Sequence, residues 1–180
     1  MTDPALRDRS GASLPLVIAI GNRFRGDDGV GGAVLDALAA HPQAAALDLL
    51  ELDGEPTRLI DAWDGRPHVV VVDAVVDASR RVGEVVVIAA RRGGESVGDA
   101  LAGWTAGVSS HSAGIAEAVR LGEVLDRMPA DLTVVGVVGG DFGDGPGLSP
   151  PVAAAIPAAA DAVGSVVSLT APRGRRRAAR

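Results

Sequence analysis

Three short stretches hold the side chains that can do chemistry together: the turn GNRFRGDD at 21–28, Asp73 at the end of a run of four valines, and His111 within SSH at 109–111. Carboxylates with an imidazole, and no thiol, make an oxygen and nitrogen donor set suited to a divalent metal. The first stretch must also be tested as a phosphate loop. Gly21 and Gly26 have the right spacing, but Asp27 and Asp28 stand where that motif needs Lys and Ser or Thr. Two carboxylates there repel a phosphate and attract a cation. The dinucleotide fingerprint fails as well, because Val34 occupies the place of its third glycine. One of Asp27 and Asp28 is expected to N-cap the helix that follows. The other stays ionised beside the helix N-terminus and is available as a ligand. A carboxylate at the buried end of a strand, like Asp73, is costly unless paired or metal-bound; its ordinary alternative is a cap on a neighbouring turn. His111 is one of three histidines. His41, beside Pro42, and His68, at the start of a strand, read as surface residues.

These residues need elements to position them. Residues 14–20 (LPLVIAI) form a continuous apolar run, the pattern of a strand buried on both faces. Val30, Ala33, Val34, Ala37 and Leu38 recur at helical spacing, with a stop near His41-Pro42. Residues 47–52 read as a second strand, 58–63 as a short helix, and 68–72 (HVVVV) as a strongly β-branched third strand. A fourth strand over 82–89 begins too soon after the apolar run ending at Val76 for a parallel crossover, so it should run antiparallel to the third. Residues 91–110 read as a long Gly- and Ser-rich loop, and long loops in compact domains are often functional. An amphipathic helix is expected over 112–128, with Ile115, Val119, Val124, Leu125 and Met128 on one face. A fifth strand at 132–138 and a Gly-rich loop at 139–147 lead to a last helix, with Ser149 as N-cap and proline in its first turn. The alternation of strand and helix specifies a three-layer α/β/α fold. In such sheets ligands sit beyond the carboxyl ends of the strands, where all three stretches are expected.

The chain has 180 residues, enough for one domain with a sizeable core. Its organisation reads as a loose leader over 1–13, a single α/β domain over 14–171 and an Arg-rich tail over 172–180. The absence of cysteine excludes disulfides, thiolate zinc sites and a cysteine nucleophile. Two Phe, two Trp and no Tyr leave few stacking platforms for single-stranded nucleic acid. All 17 basic residues are Arg, and five of them lie in the last nine positions. The remainder carries 12 Arg against 23 acids, a formal charge of −11, which repels nucleic acid and attracts cations. No secretory signal is visible, and the apolar stretch 152–171, interrupted by Pro157, Asp161 and Gly164, reads as a packing helix and not a membrane span. The expectation is a cytoplasmic monomer that binds neither nucleic acid nor membrane.

Taken together, GNRFRGDDGVG at 21–31, VVVVDA at 69–74 and SSH at 109–111 resemble the nickel–iron hydrogenase maturation endopeptidases. Residues 133–138 and LSPPV at 148–152 fit the C-terminal part of that family, so the resemblance covers roughly 14–168. It implies a five-stranded, mostly parallel sheet in the order 2-1-3-5-4 with one antiparallel strand. It also implies that two carboxylates and one histidine bind a metal and carry the reaction. Matched residue by residue, these are Asp28, Asp73 and His111. The family commonly has Glu at the first position, so Asp28 is one methylene shorter. Two turns depart from the family pattern: Asp53-Gly54-Glu55-Pro56-Thr57 after the second strand, and Gly139-Gly140-Asp141 after the fifth. Asp53 is expected to orient substrate.

The resemblance implies a metal-dependent, aspartic-type endopeptidase. Its partner is the hydrogenase large-subunit precursor, from which it trims a C-terminal peptide after nickel insertion. Two carboxylates and an imidazole hold nickel only loosely. The nickel is therefore expected to arrive in the substrate, bound by the substrate's cysteines, though another divalent metal can occupy the site in isolation. No Ser/His/Asp set stands in a recognisable turn. Two alternatives remain: a magnesium-binding phospho-receiver domain, and a non-catalytic relative that only binds the precursor. Against the receiver, no Lys follows the fifth strand, and six residues, 21–26, separate the first strand from the acidic pair.

Overall fold

The computed structural model describes residues 14–91 and 110–170, except the side chains of 90–91, 110–113 and 169–170. The leader over 1–13, most of the loop over 91–110 and the Arg-rich tail lie outside the described residues. In chain order the elements are β1 (Leu16–Ile20), a 3-10 turn (Gly26–Gly29) running into α1 (Val30–Ala39), β2 (Asp48–Leu52), α2 (Pro56–Trp63) and β3 (His68–Val75). They continue with β4 (Val85–Arg91), α3 (Ser110–Val124), β5 (Asp131–Val138) and α4 (Pro150–Thr170).

The strands form one five-stranded sheet in the order β2-β1-β3-β5-β4. β1 pairs in parallel with β2 and β3, and β3 with β5. β4 pairs antiparallel with β5 and so runs opposite to β3, as its short connection requires. Apolar side chains alternate between the two faces of β1 and β3, because successive residues of a strand point to opposite sides. Ile18, Val69, Val71 and Val75 pack under α2 and α3, against Leu59, Trp63, Ile115 and Val119. Val17, Ala19, Val70 and Val72 pack under α1 and α4, against Val34, Leu38, Val152 and Val163. Both faces of the sheet are covered, so its central strands read as nearly continuous apolar runs rich in valine.

Three local expectations need correction. β3 does not stop before Asp73 but continues to Val75, since β5 runs alongside it to the Val75–Val138 pair. α3 begins at Ser110, so His111 lies in its first turn instead of in a turn before it. It also ends at Val124, short of the expected end. Asp126 adopts a left-handed φ of 56°, with Arg127 N donating to Gly122 O (2.9 Å) and Asp126 N to Glu123 O (3.3 Å), the double closure of a Schellman stop. Val124 and Leu125 are consequently 82% and 48% exposed, while Ile115 and Val119 are buried as expected.

α4 is long and apolar enough over Pro150–Ser168 to cross a membrane by length and composition. In this fold Val152, Ala155, Ala159 and Val163 are buried on one side of it, in the core shared with α1. α2 begins with a cap that accounts for the Glu55-Pro56 departure. The Glu55 carboxylate accepts from Thr57 N (3.2 Å) and Arg58 N (2.9 Å), with Pro56 in the first turn.

Candidate active site at the carboxyl edge of the sheet

β1 is followed by the turn that carries both first-motif aspartates. Gly21 and Gly26 adopt φ of 126° and 54°, conformations open to glycine, and let the chain reverse twice within six residues. α1 then starts directly over the strand ends. A Cβ on Gly31 would stand 2.4 Å from Ile20 O and 2.9 Å from Val72 O, so the glycine permits this approach. The site thus sits between β1 and β3, where the chain switches from one side of the sheet to the other.

Neither aspartate caps α1. The residue before α1 is Gly29, and no side chain closes its first turn. Asp27 is wholly buried and is spent on a distant loop: its carboxylate accepts from Gly140 N (2.8 Å), Asp141 N (2.9 Å), Ser149 N (2.7 Å) and Ser149 Oγ (3.0 Å). Burial, the largest single influence, pushes its pKa up. The hydrogen bonds from Gly140, Asp141 and Ser149 together outweigh it and hold the carboxyl below its ordinary value. Ser149 stands just before α4 as expected, but its hydroxyl serves Asp27.

Asp28 is 3% exposed and accepts from Asn22 N at 2.8 Å. Its carboxyl carbon lies 3.7 Å from where a Cβ on Gly21 would be, which places the group at the end of β1. Asp73 is fully buried. One step beyond the Ala19–Val72 pair, it is level with Ile20, the last residue of β1. Alternation along β3 puts its side chain on the face of Val71 and Val75, the face covered by α2 and α3. Its β5 neighbour is Gly136, which has no side chain to fill the adjoining place.

The His111 side chain lies outside the described residues; its backbone position does not. Gly114, one turn further along α3, packs on the turn after β2, where a Cβ would stand 2.3 Å from Gly54 O. The first turn of α3 therefore arrives at the same carboxyl edge, on the same face as Asp73. Among the described residues no group of three potential metal ligands is complete. Asp28 and Asp73 are two buried carboxylates from separate segments at one sheet edge, hard oxygen donors of the chemical type that divalent cations take. His68 stands at the far end of β3, with Nδ1 3.0 Å from Asp131 Oδ2, half-buried and not a free surface residue.

Beside the site opens a groove of about 490 Å³, lined by residues 21–25, Glu51 and Asp53. Asp53 lines this groove, and its carboxylate pairs with Arg58 and accepts from Glu55 N at 3.3 Å. Arg23 was not singled out in the sequence and proves central. Its guanidinium bridges Asp36 of α1 (2.6 Å) and Glu51 of β2 (2.8 Å) and donates to Gly32 O (2.9 Å). Nothing local in the sequence marks these partners.

A model of the hydrogenase maturation protease family matches residues 33–166, most of the chain, and the chain belongs to that family. It is thereby a protease of hydrogenase maturation, and the phospho-receiver reading falls away. The match begins downstream of Asp28. Solved structures share the fold. The hydrogenase maturating endopeptidase HybD from E. coli superposes with a TM-score of 0.74 at 22% identity, over 88% of this chain and 94% of its own. The [NiFe] hydrogenase maturation protease HybD from Thermococcus kodakarensis gives 0.66 at 25% identity, over 86% and 99%. The endopeptidase HycI from Escherichia coli gives 0.57 at 17%, over 82% and 88%. Among curated proteins there is no match.

Proposed function

We propose that this protein removes a C-terminal peptide from the nickel–iron hydrogenase large-subunit precursor after nickel insertion, with Asp28, Asp73 and His111 as the groups that meet the metal. One observation carries the reading: two buried carboxylates, from the turn after β1 and from β3, stand at the sheet edge reached by the first turn of α3. Asp28 is oriented by the Asn22 amide, and Asp73 has a side-chain-free place beside it at Gly136. Burial keeps both carboxylates out of bulk water, and the adjoining groove gives the substrate polypeptide a place to lie beside them. Asp28, Asp73 and His111 would hold a divalent cation, which would supply Lewis-acid polarisation of the scissile carbonyl.

The nickel itself is cargo of the substrate, already held by cysteine thiolates of the precursor. Asp28, Asp73 and His111 add harder donors, a set too weak to retain nickel alone. The enzyme is accordingly metal-dependent and aspartic in type. We place it in the cytoplasm as a monomer acting on the precursor, with neither nucleic acid nor membrane as a partner. Asp53 lies on the groove and contributes to peptide orientation through its pair with Arg58.

The test is cleavage of nickel-loaded precursor on a gel, with matched thermal melts. His111→Ala and Asp73→Asn should each abolish processing, because three ligands leave none to spare. Asp28→Glu should retain much of it, since charge is kept. Full activity in His111→Ala refutes the site. Equal cleavage of nickel-free and nickel-loaded precursor refutes the role of substrate-borne nickel. Wild-type binding without cleavage would mark the protein as a precursor-binding relative.

A further inference from the structure

The loop over 21–25 is clamped on both flanks. On one side Arg23 ties it to α1 and β2 through Asp36, Glu51 and Gly32 O. On the other, Gly145 N donates to Phe24 O (2.8 Å) and Gly26 N to Gly145 O (3.0 Å), joining it to the loop before α4. Within the loop, Phe24 N donates to Asn22 Oδ1 (2.9 Å) and Arg25 N to Asn22 O (3.0 Å). The backbone N–H and C=O of Phe24 are thus both engaged, which fixes the direction in which its side chain leaves the loop tip. Phe24 is nevertheless 70% exposed, whereas Phe142 packs against the core under α1 and α4. An exposed aromatic ring on a fixed backbone has only two side-chain torsions to lose on binding and gains a large contact area, which is how interface anchors behave.

The charges of the groove point the same way. Arg23 is committed to Glu51 and Asp36, and Asp53 to Arg58. Arg25 is exposed and, among the described residues, has no ion pair or side-chain hydrogen bond. Among the described residues, the groove therefore sets the Arg25 guanidinium, without an ion pair there, next to the exposed face of Phe24. It is continuous with the candidate active site, since Gly21 and Asn22 line it and the Asn22 amide holds Asp28.

We propose that Phe24 and Arg25 form a specificity element that docks a segment of the precursor polypeptide in which an apolar side chain stands beside a carboxylate. Phe24 covers the apolar group and Arg25 pairs with the carboxylate, so that the cleaved region is presented to Asp28. This rests on the function proposed above and deepens it by naming what the groove recognises.

Two measurements on nickel-loaded large-subunit precursor test it: steady-state cleavage, and equilibrium binding by surface-immobilised precursor. Phe24→Ala and Arg25→Glu should raise KM and Kd about tenfold or more, with kcat within about twofold of wild type. Phe24→Leu and Arg25→Lys should retain most of the affinity and guard against a folding artefact. Unchanged KM and Kd in Arg25→Glu, or a loss confined to kcat, overturns the proposal. Wild-type dimerisation that Arg25→Glu abolishes would assign the face to a second copy of this chain and overturn it also. Wild-type protein that binds precursor without cutting it refutes the proteolytic reading alone, and Kd then decides the docking element. Failure of wild type to bind precursor overturns both.

Discussion

At the scale of single residues, adjacent aspartates with the same chemistry have opposite fates. Asp27 and Asp28 follow one another in a 3-10 turn, yet Asp27 accepts four hydrogen bonds from the loop before α4 while Asp28 is held by Asn22. Asp27 is in effect the rivet between the turn that carries Asp28 and the segment from Gly140 to Ser149. Asn in its place keeps the shape but turns one acceptor oxygen into a donor that faces backbone N–H groups. Asp27→Asn should therefore cost about 2–4 kcal/mol, combining lost charged hydrogen bonds with buried donors left unsatisfied. Urea unfolding followed by circular dichroism measures this. A cost below about 0.5 kcal/mol would mean that the loop holds its place without the carboxylate.

At the scale of elements, glycines decide how closely helices approach the working edge. Gly114 in α3 faces Gly54 O, and Gly164 in α4 would meet nothing within 4 Å. Alanine is the better helix former by about 1 kcal/mol at either position. Gly164→Ala should gain most of that, raising stability by about 0.5–1 kcal/mol without touching activity. Gly114→Ala must instead push the first turns of α3 away from the β2–α2 turn. The clash exceeds the propensity gain and should leave a net loss of about 1–2 kcal/mol. Because the same movement displaces His111, cleavage of nickel-loaded precursor should fall about tenfold or more. Wild-type cleavage by Gly114→Ala, at unchanged stability, would show that α3 does not set the geometry of the site.

At the scale of the whole molecule, the two cores share one sheet, and β1, β3 and β5 each send side chains into both. Val71 packs under α2 and α3 and Val70 under α1 and α4, both nearly or wholly buried. Truncation of either leaves a void that neighbouring elements fill only in part. Val70→Ala and Val71→Ala should each lower stability by about 2–3 kcal/mol. Since the two faces share one sheet, each variant, built on a Trp104→Phe background so that Trp63 alone fluoresces, should still unfold in one transition by circular dichroism and by fluorescence, although Trp63 lies on one face only. Separate transitions for the two probes would show that the layers melt independently.

The sequence by itself determined the elements and their order. Runs such as LVIAI and HVVVV are unbroken because both faces of their strands are buried, and period and composition are local properties. The direction of β4 was equally legible, since a short connection cannot cross over to a parallel neighbour. The motifs at 21–31 and 69–74 also pointed to the carboxyl edge of the sheet, where the buried Asp28 and Asp73 lie. What only the tertiary structure decided were the partners. Asp27 meets donors more than a hundred positions away, and Arg23 finds Asp36 and Glu51 on two different elements. β3 runs past Asp73 because β5 continues beside it, and α3 stops at Val124 because Asp126 takes a left-handed turn. Periodicity says which face a residue occupies. Which group it meets depends on how separate elements pack, and that is settled by close approach at glycines and by burial of charge on distant backbone donors.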